Sequence, residues 1–136
     1  MGGASFSHRA KLAPSVTLSS RDSEALALVY AIKAVLAFLI IMNELRMTPK
    51  SAPKIMVDNK GTVDGAYSDR ISKEARFNGM RLAFIREQAM NGIVRIKSIR
   101  TGANIADVFT KPLSPKLHNQ FRDIIMGHAN HSDVFK

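Results

Sequence analysis

The chain has 136 residues, 46% of them hydrophobic and 23% charged, a length and balance that suit one globular domain and exclude collagen, coiled coil and wholesale disorder. It contains no cysteine, which excludes a disulfide framework and thiolate zinc sites and fits a reducing compartment. The formal net charge of +9 comes from Lys and Arg spread along the whole chain, and favours polyanionic partners because bound phosphates release counterions.

From the N-terminus, Met1 is followed by small, polar and basic residues with no early apolar run, so no signal peptide is expected. Val16-Thr17-Leu18 is β-prone and predicts a strand, bent near Pro14. Ser19, Ser20 and Asp22 are good cap residues before a helix predicted over 23–47, which ends ahead of Pro49. Its apolar residues run nearly all the way round the axis, so it wants cover on more than one side, from a central packing position or from a partner. Residues 25–42 approach a membrane-spanning length, but Lys33 interrupts them and Glu24 and Glu44 flank them, so a buried core helix is expected instead of a span.

After a short linker, residues 54–57 form a continuous apolar run of the kind that is buried on both faces of a sheet, with Asp58 and Asn59 at its C-terminal end. Residues 61–67 start a helical turn and 68–76 read as polar loop. Helical spacing returns over 77–90 through Met80, Ala83 and Phe84, and Asn91-Gly92 closes that helix. Residues 93–99 alternate as a strand with Arg95 and Lys97 on one side, and lead into a short helix start over 104–109. Leu117, Phe121, Ile124 and Ile125 make the stripe of an amphipathic helix over 114–126, ended by Gly127. Residues 127–136 read as a frayed tail. His8, His118, His128 and His131 are scattered without paired ligand spacing, and none is expected to bind metal.

Three acids stand at the ends of predicted elements: Glu24 at the head of the long helix, Asp58 after the apolar strand, and Asp107 in the short helix start. Carboxylates fixed at such ends can hold two hard divalent cations about 4 Å apart, the arrangement that activates water in phosphodiester cleavage, and magnesium suits oxygen ligands. Each acid also has an ordinary explanation. Glu24 suits the positive end of a helix dipole, Asp58 suits a turn with Asn59, and Asp107 suits a solvated helix.

The words around the acids are more specific than their spacing. Gly2-Gly3, then Val16-Thr17-Leu18-Ser19-Ser20-Arg21-Asp22-Ser23-Glu24, then Val57-Asp58-Asn59-Lys60-Gly61, then Phe84-Ile85-Arg86-Glu87 with Asn91-Gly92, and finally Ala106-Asp107-Val108-Phe109-Thr110-Lys111-Pro112-Leu113 occur in that order. Together they resemble the ribonuclease H domain at the C-terminal end of copia-type retrotransposon polyproteins, over roughly residues 2–126. The resemblance implies an α/β, RNase H-like fold with a mixed sheet and the long apolar helix packed on it. It implies Mg²⁺-dependent hydrolysis of RNA in RNA–DNA hybrids, with Glu24, Asp58 and Asp107 matching the family's catalytic and metal-binding acids. Arg95, Lys97 and Lys111 are then the expected phosphate contacts, and an intracellular, cytoplasmic or nuclear setting is expected.

The chain departs from the family pattern in several places. It begins at the Gly-Gly turn, so the first two strands of the family fold and the first catalytic aspartate are expected to be missing. The open sheet edge then needs cover, from a second copy or from an upstream polyprotein segment. His8 and Ala37 stand where the family has tryptophan, Ala25 where an aromatic follows the glutamate, and Phe77-Asn78-Gly79 where it has His-x-Asp. The expectation is therefore weak or absent cleavage. The alternatives are a non-catalytic basic module that binds nucleic acid or protein, and a non-functional retroelement remnant.

Overall fold

The computed structural model describes Ser5, Ser7 and residues 20–68 and 79–135. The fold is mixed α/β, mostly helical, with a small parallel sheet of two strands. The elements are α1 (Ser20–Glu44), β1 (Lys54–Val57), α2 (Lys60–Tyr67), α3 (Gly79–Met90), β2 (Arg95–Ser98), α4 (Pro115–Ile125) and α5 (His131–Val134), with short 3-10 turns at Thr101–Ala103 and Ile105–Phe109. The strand expected at 16–18 and most of the loop expected at 68–76 lie outside the described residues.

The described residues fall into two compact units, one built from 20–68 and 79–99, the other from 100–135 with Ser5 and Ser7. In the first unit β1 and β2 pair in parallel, with Lys54 opposite Arg95, Ile55 opposite Ile96, Met56 opposite Lys97 and Val57 opposite Ser98. The ladder runs on at both ends, where the Arg95 amide donates to the Pro53 carbonyl at 2.8 Å and the Ile99 amide to Val57 at 2.9 Å. Parallel strands need a crossover, and α2 and α3 supply it.

One face of this ladder is packed and the other is wet. Ile96 is buried and Ile55 and Val57 are half-buried, whereas Lys54, Arg95 and Lys97 are exposed and Met56 is 44% exposed. The expectation that residues 54–57 are covered on both faces is therefore corrected. Two strands have two faces, and the helices of this unit fill only one of them.

The core of the first unit gathers Ala25, Leu28 and Ile32 from α1, Ala66 from α2, Ile85 and Ala89 from α3, and Val94 and Ile96 at β2. The α1 residues follow one helical stripe, so the packed side of α1 is its N-terminal half. Further along, Ile40, Ile41, Leu45 and Met47 are exposed, and Met42 is buried. By length and composition alone the 23 residues of Asp22–Glu44 form a helix able to cross a membrane, and only 22% of its most apolar window is buried. The buried stripe meets the expectation of a core helix in the first half of α1 and not in the second.

Three helices stop in the same way. At the end of α1 the Arg46 amide donates to the Asn43 carbonyl and the Met47 amide to Met42. At the end of α3, Gly92 donates to Ala89 and Ile93 to Gln88, and after α4, Gly127 donates to Ile124 and His128 to Asp123. Each is a Schellman motif, which needs a left-handed residue at its turn. Gly92 and Gly127 take φ of 69° and 76° without strain, but at α1 the position is filled by Arg46 at φ 56°.

In the second unit Phe121 and Ile124 of α4 and Ala103 are buried. The segment expected to fray carries α5 instead. Its Phe135 ring lies 5.6 Å from Phe121, and His131 Nε2–H donates to the Ala103 carbonyl at 2.8 Å. An aromatic pair and a half-buried hydrogen bond hold it down, which composition alone does not reveal. The Ser5 amide donates to the carbonyl of Ile125 at 2.8 Å in the same unit.

Candidate functional site

In a parallel βα unit the C-terminal end of the strand meets the N-terminus of the following helix, so residues between them converge there from both elements. Asp58 and Asn59 fill that junction. Asn59 is the N-cap of α2, and its Oδ1 accepts from the Gly61 amide at 2.8 Å and the Thr62 amide at 3.3 Å. The bonds satisfy two of the donors that a helix start leaves open. The turn role expected of the Asp58-Asn59 pair thus falls on Asn59, which leaves the half-buried Asp58 carboxyl unused by the cap.

Glu24 reaches the same junction from α1. Its Oε2 accepts from the Thr62 hydroxyl at 2.7 Å, across 38 residues of sequence. The position of Glu24 follows from packing, since Ala25 next to it starts the buried stripe that docks α1. A first-turn acid held only by its own helix dipole would have no need of this contact. Thr62 was not legible as a site residue beforehand. The signal in the sequence is its place three residues after the cap Asn59, where its hydroxyl sits on the first turn of α2.

Asp107 belongs to the second unit, inside the 3-10 turn Ile105–Phe109, whose N-cap Asn104 accepts from the Ala106 amide at 3.2 Å. Asp107 is only 8% exposed, so the solvated helix acid is corrected to a buried one. Its Oδ1 pairs with Lys111 Nζ at 3.0 Å, one helical turn on. Lys111, expected on phosphate, is thereby engaged by a carboxylate within its own motif. The short spacing Asp-x-x-x-Lys is the signal for this pair.

The structure brings Glu24 together with the Asp58-Asn59 junction through Thr62, and it places Arg95 and Lys97 side by side on the wet face of β2. Among the described residues no group of three or more His, Cys, Asp or Glu side chains is placed to hold a metal ion. Glu24 and Asp58 supply two carboxyls in one unit, enough for one Mg²⁺ whose other positions water and substrate fill, but a pair of ions needs further carboxylates to hold and bridge them. The residues present therefore do not by themselves fit the Mg²⁺ pair that the resemblance implies.

One more residue shapes this unit. The Tyr67 hydroxyl, at the end of α2, accepts from the Ile96 amide at 3.1 Å and donates to the Ile96 carbonyl at 3.4 Å. In a parallel ladder the amides of Arg95 and Ile99, which bond toward β1, alternate with those of Ile96, which point to the outer edge. Tyr67 occupies that edge at its buried residue and joins α2 to β2. No family model matches this chain, and no solved structure matches it.

Proposed function

We propose that this chain is the C-terminal part of an RNase H-like domain from a copia-type retrotransposon polyprotein. Its reaction would be Mg²⁺-dependent hydrolysis of the RNA strand of RNA–DNA hybrids, weak or absent in the chain as it stands, inside the cell in cytoplasm or nucleus. The observation that carries the reading is the Thr62–Glu24 hydrogen bond at the β1–α2 junction. Two of the three acids matched by the family words are drawn to one strand end by an arrangement that neither acid needs for local stability. The order of long helix, strand with terminal acid, crossover helices and parallel strand supports the same reading.

The ordering also sets its limit. Two carboxyls in one unit do not complete a two-metal site, which is why weak or absent cleavage is proposed. The roles left to this chain's own residues are to orient and to bind. Glu24 is bonded to Thr62, Asp58 follows the end of β1, and exposed Lys and Arg side chains attract the phosphates.

The test is cleavage of a hybrid carrying a labelled RNA strand, in Mg²⁺, by the chain and by Asp58→Asn and Glu24→Gln. Slow cleavage lost in both variants supports the assignment of the acids, and equal cleavage by all three refutes it. Hybrid binding without cleavage leaves the non-catalytic form of the same reading. Failure of both binding and cleavage sinks it.

A further inference from the structure

We propose that the solvent-facing side of the β1–β2 ladder is a docking surface for the sugar–phosphate backbone of nucleic acid, built from Lys54, Arg95 and Lys97. Paired residues in a parallel ladder point to the same face, so the register puts Lys54 directly beside Arg95, and Lys97 beside Met56. Strand spacing places the first pair about 4.8 Å apart at the backbone, and Arg95 about 6.6 Å from Lys97 along the strand. All three are exposed. Among the described residues the ion pairs Lys111–Asp107 and Arg122–Asp123 lie elsewhere, and neither involves this face.

Like charges set opposite one another across a ladder are destabilising. Here they stand together with no ion pair to an acid among the described residues, which is a cost to folding that a bound polyanion removes. The face carries one apolar side chain, Met56, too little for insertion into a lipid surface. An acidic peptide adding to the sheet would use an edge, whereas these cations stand on a face, and the outer edge of β2 is already met by Tyr67 at Ile96. Repeating phosphates need only Lys and Arg at strand-like intervals, with no base readout, so binding is expected to be independent of sequence. The proposal rests on the function above for the choice of nucleic acid and for Arg95 and Lys97 as phosphate contacts, and adds Lys54 and the face of the ladder that holds them together. It does not use Glu24, Asp58 or a metal ion.

The experiment measures binding of a fluorescent RNA–DNA hybrid across a salt series, in a chelator and in the full chain. A triple variant with Lys54, Arg95 and Lys97 changed to Gln is compared with a control in which the exposed Lys33, Lys50 and Lys116 are changed to Gln. Both variants lose three positive charges. The face variant is expected to lower the slope of log affinity against log salt by about 2.7, at about 0.9 per phosphate contact, and to weaken binding on the order of 100-fold at low salt. The control is expected to keep the wild-type slope to within about one contact. Equal losses in the two variants would reduce the effect to net charge and overturn the proposal, as would an unchanged slope in the face variant. Vesicles of phosphatidylcholine with phosphatidylserine provide the other arm: tighter binding to them through the same three residues would overturn the assignment to nucleic acid. Because the measurement needs no cleavage, a failed nuclease assay leaves its outcome readable.

Discussion

The contact between Glu24 and Thr62 can be measured as a coupling energy. The bond is an O–H···O⁻ interaction at 2.7 Å with both residues half-buried. Hydrogen bonds to charged groups contribute about 1.5–3 kcal/mol when shielded, and partial exposure of both partners brings the expectation to about 1 kcal/mol. Thr62→Val keeps the branched shape and the amide bond to Asn59 while removing the hydroxyl. Glu24→Ala removes the acceptor at a helical position where Ala is favourable. The four proteins of the cycle would be unfolded in urea and followed by tyrosine fluorescence. The probe is selective, since the chain has no Trp and two Tyr, and both Tyr30 and Tyr67 lie in the first unit. The double variant is expected to be more stable, by about 1 kcal/mol, than the sum of the single losses predicts, and Glu24→Gln to retain roughly half of the coupling through its neutral acceptor. A coupling below about 0.3 kcal/mol would refute the reasoning, because Glu24 would then reach the junction by chance of packing and not through a bond that holds it.

Three further outcomes follow from the fold. Tyr67→Phe removes the hydroxyl that serves both backbone groups of Ile96, and should cost about 1 kcal/mol while speeding hydrogen exchange at the Ile96 amide; unchanged exchange there would remove Tyr67 from the β2 edge. Arg46→Gly places the preferred residue at the left-handed end of α1, and should stabilise the first unit by about 0.5–1 kcal/mol in urea unfolding. Ile32→Ala opens a cavity at a fully buried position and should cost about 3 kcal/mol, whereas Ile41→Ala, on the exposed half of α1, should stay within about 0.5 kcal/mol. A large loss at Ile41 would mean that a partner covers that half of the helix in solution.

Helix ends show why some boundaries could be read and others not. Asn91-Gly92 and Gly127 announce their stops because glycine is the residue that takes the left-handed position freely, and α3 and α4 end at those glycines. The end of α1 uses the same hydrogen bonds with Arg46, a residue that carries no such signal. The predicted helix therefore runs on to Met47, whereas α1 ends at Glu44. Strand β1 is legible at its bounds because Lys54 and three apolar residues between Pro53 and Asp58 leave no room for a helix. Its exposed Met56 is not, since an apolar side chain in sequence does not say which face lacks cover. Among the site residues, Glu24 and Asp58 could be found as acids at element ends. Their link through Thr62 depends on α1 lying against α2, a tertiary fact with no trace in local spacing. The burial of Asp107 was likewise hidden, because the turn that encloses it, Ile105–Phe109, is too short to show periodicity.

The first unit holds two chemistries at different places on the ladder. Asp58 follows β1 at one end of the ladder, where Glu24 is bonded to Thr62 on the first turn of α2, while the cations stand on the open face. The placement of the cations follows from parallel pairing, which fixes which residues share a side, and that of Glu24 from the packing of α1. Lys111, grouped in sequence with Arg95 and Lys97 as a phosphate contact, lies in the other unit and pairs with the carboxylate of Asp107 at 3.0 Å. Removing the acids should then leave the electrostatic attraction of the face intact or strengthen it, since each lost carboxylate removes repulsion of phosphate. Removing the face cations should weaken binding whatever becomes of the acids. Binding that fell with Asp58→Asn and survived loss of Lys54, Arg95 and Lys97 would place the nucleic acid at the strand end instead, and would make the open face of the ladder a cost to folding with no ligand to offset it.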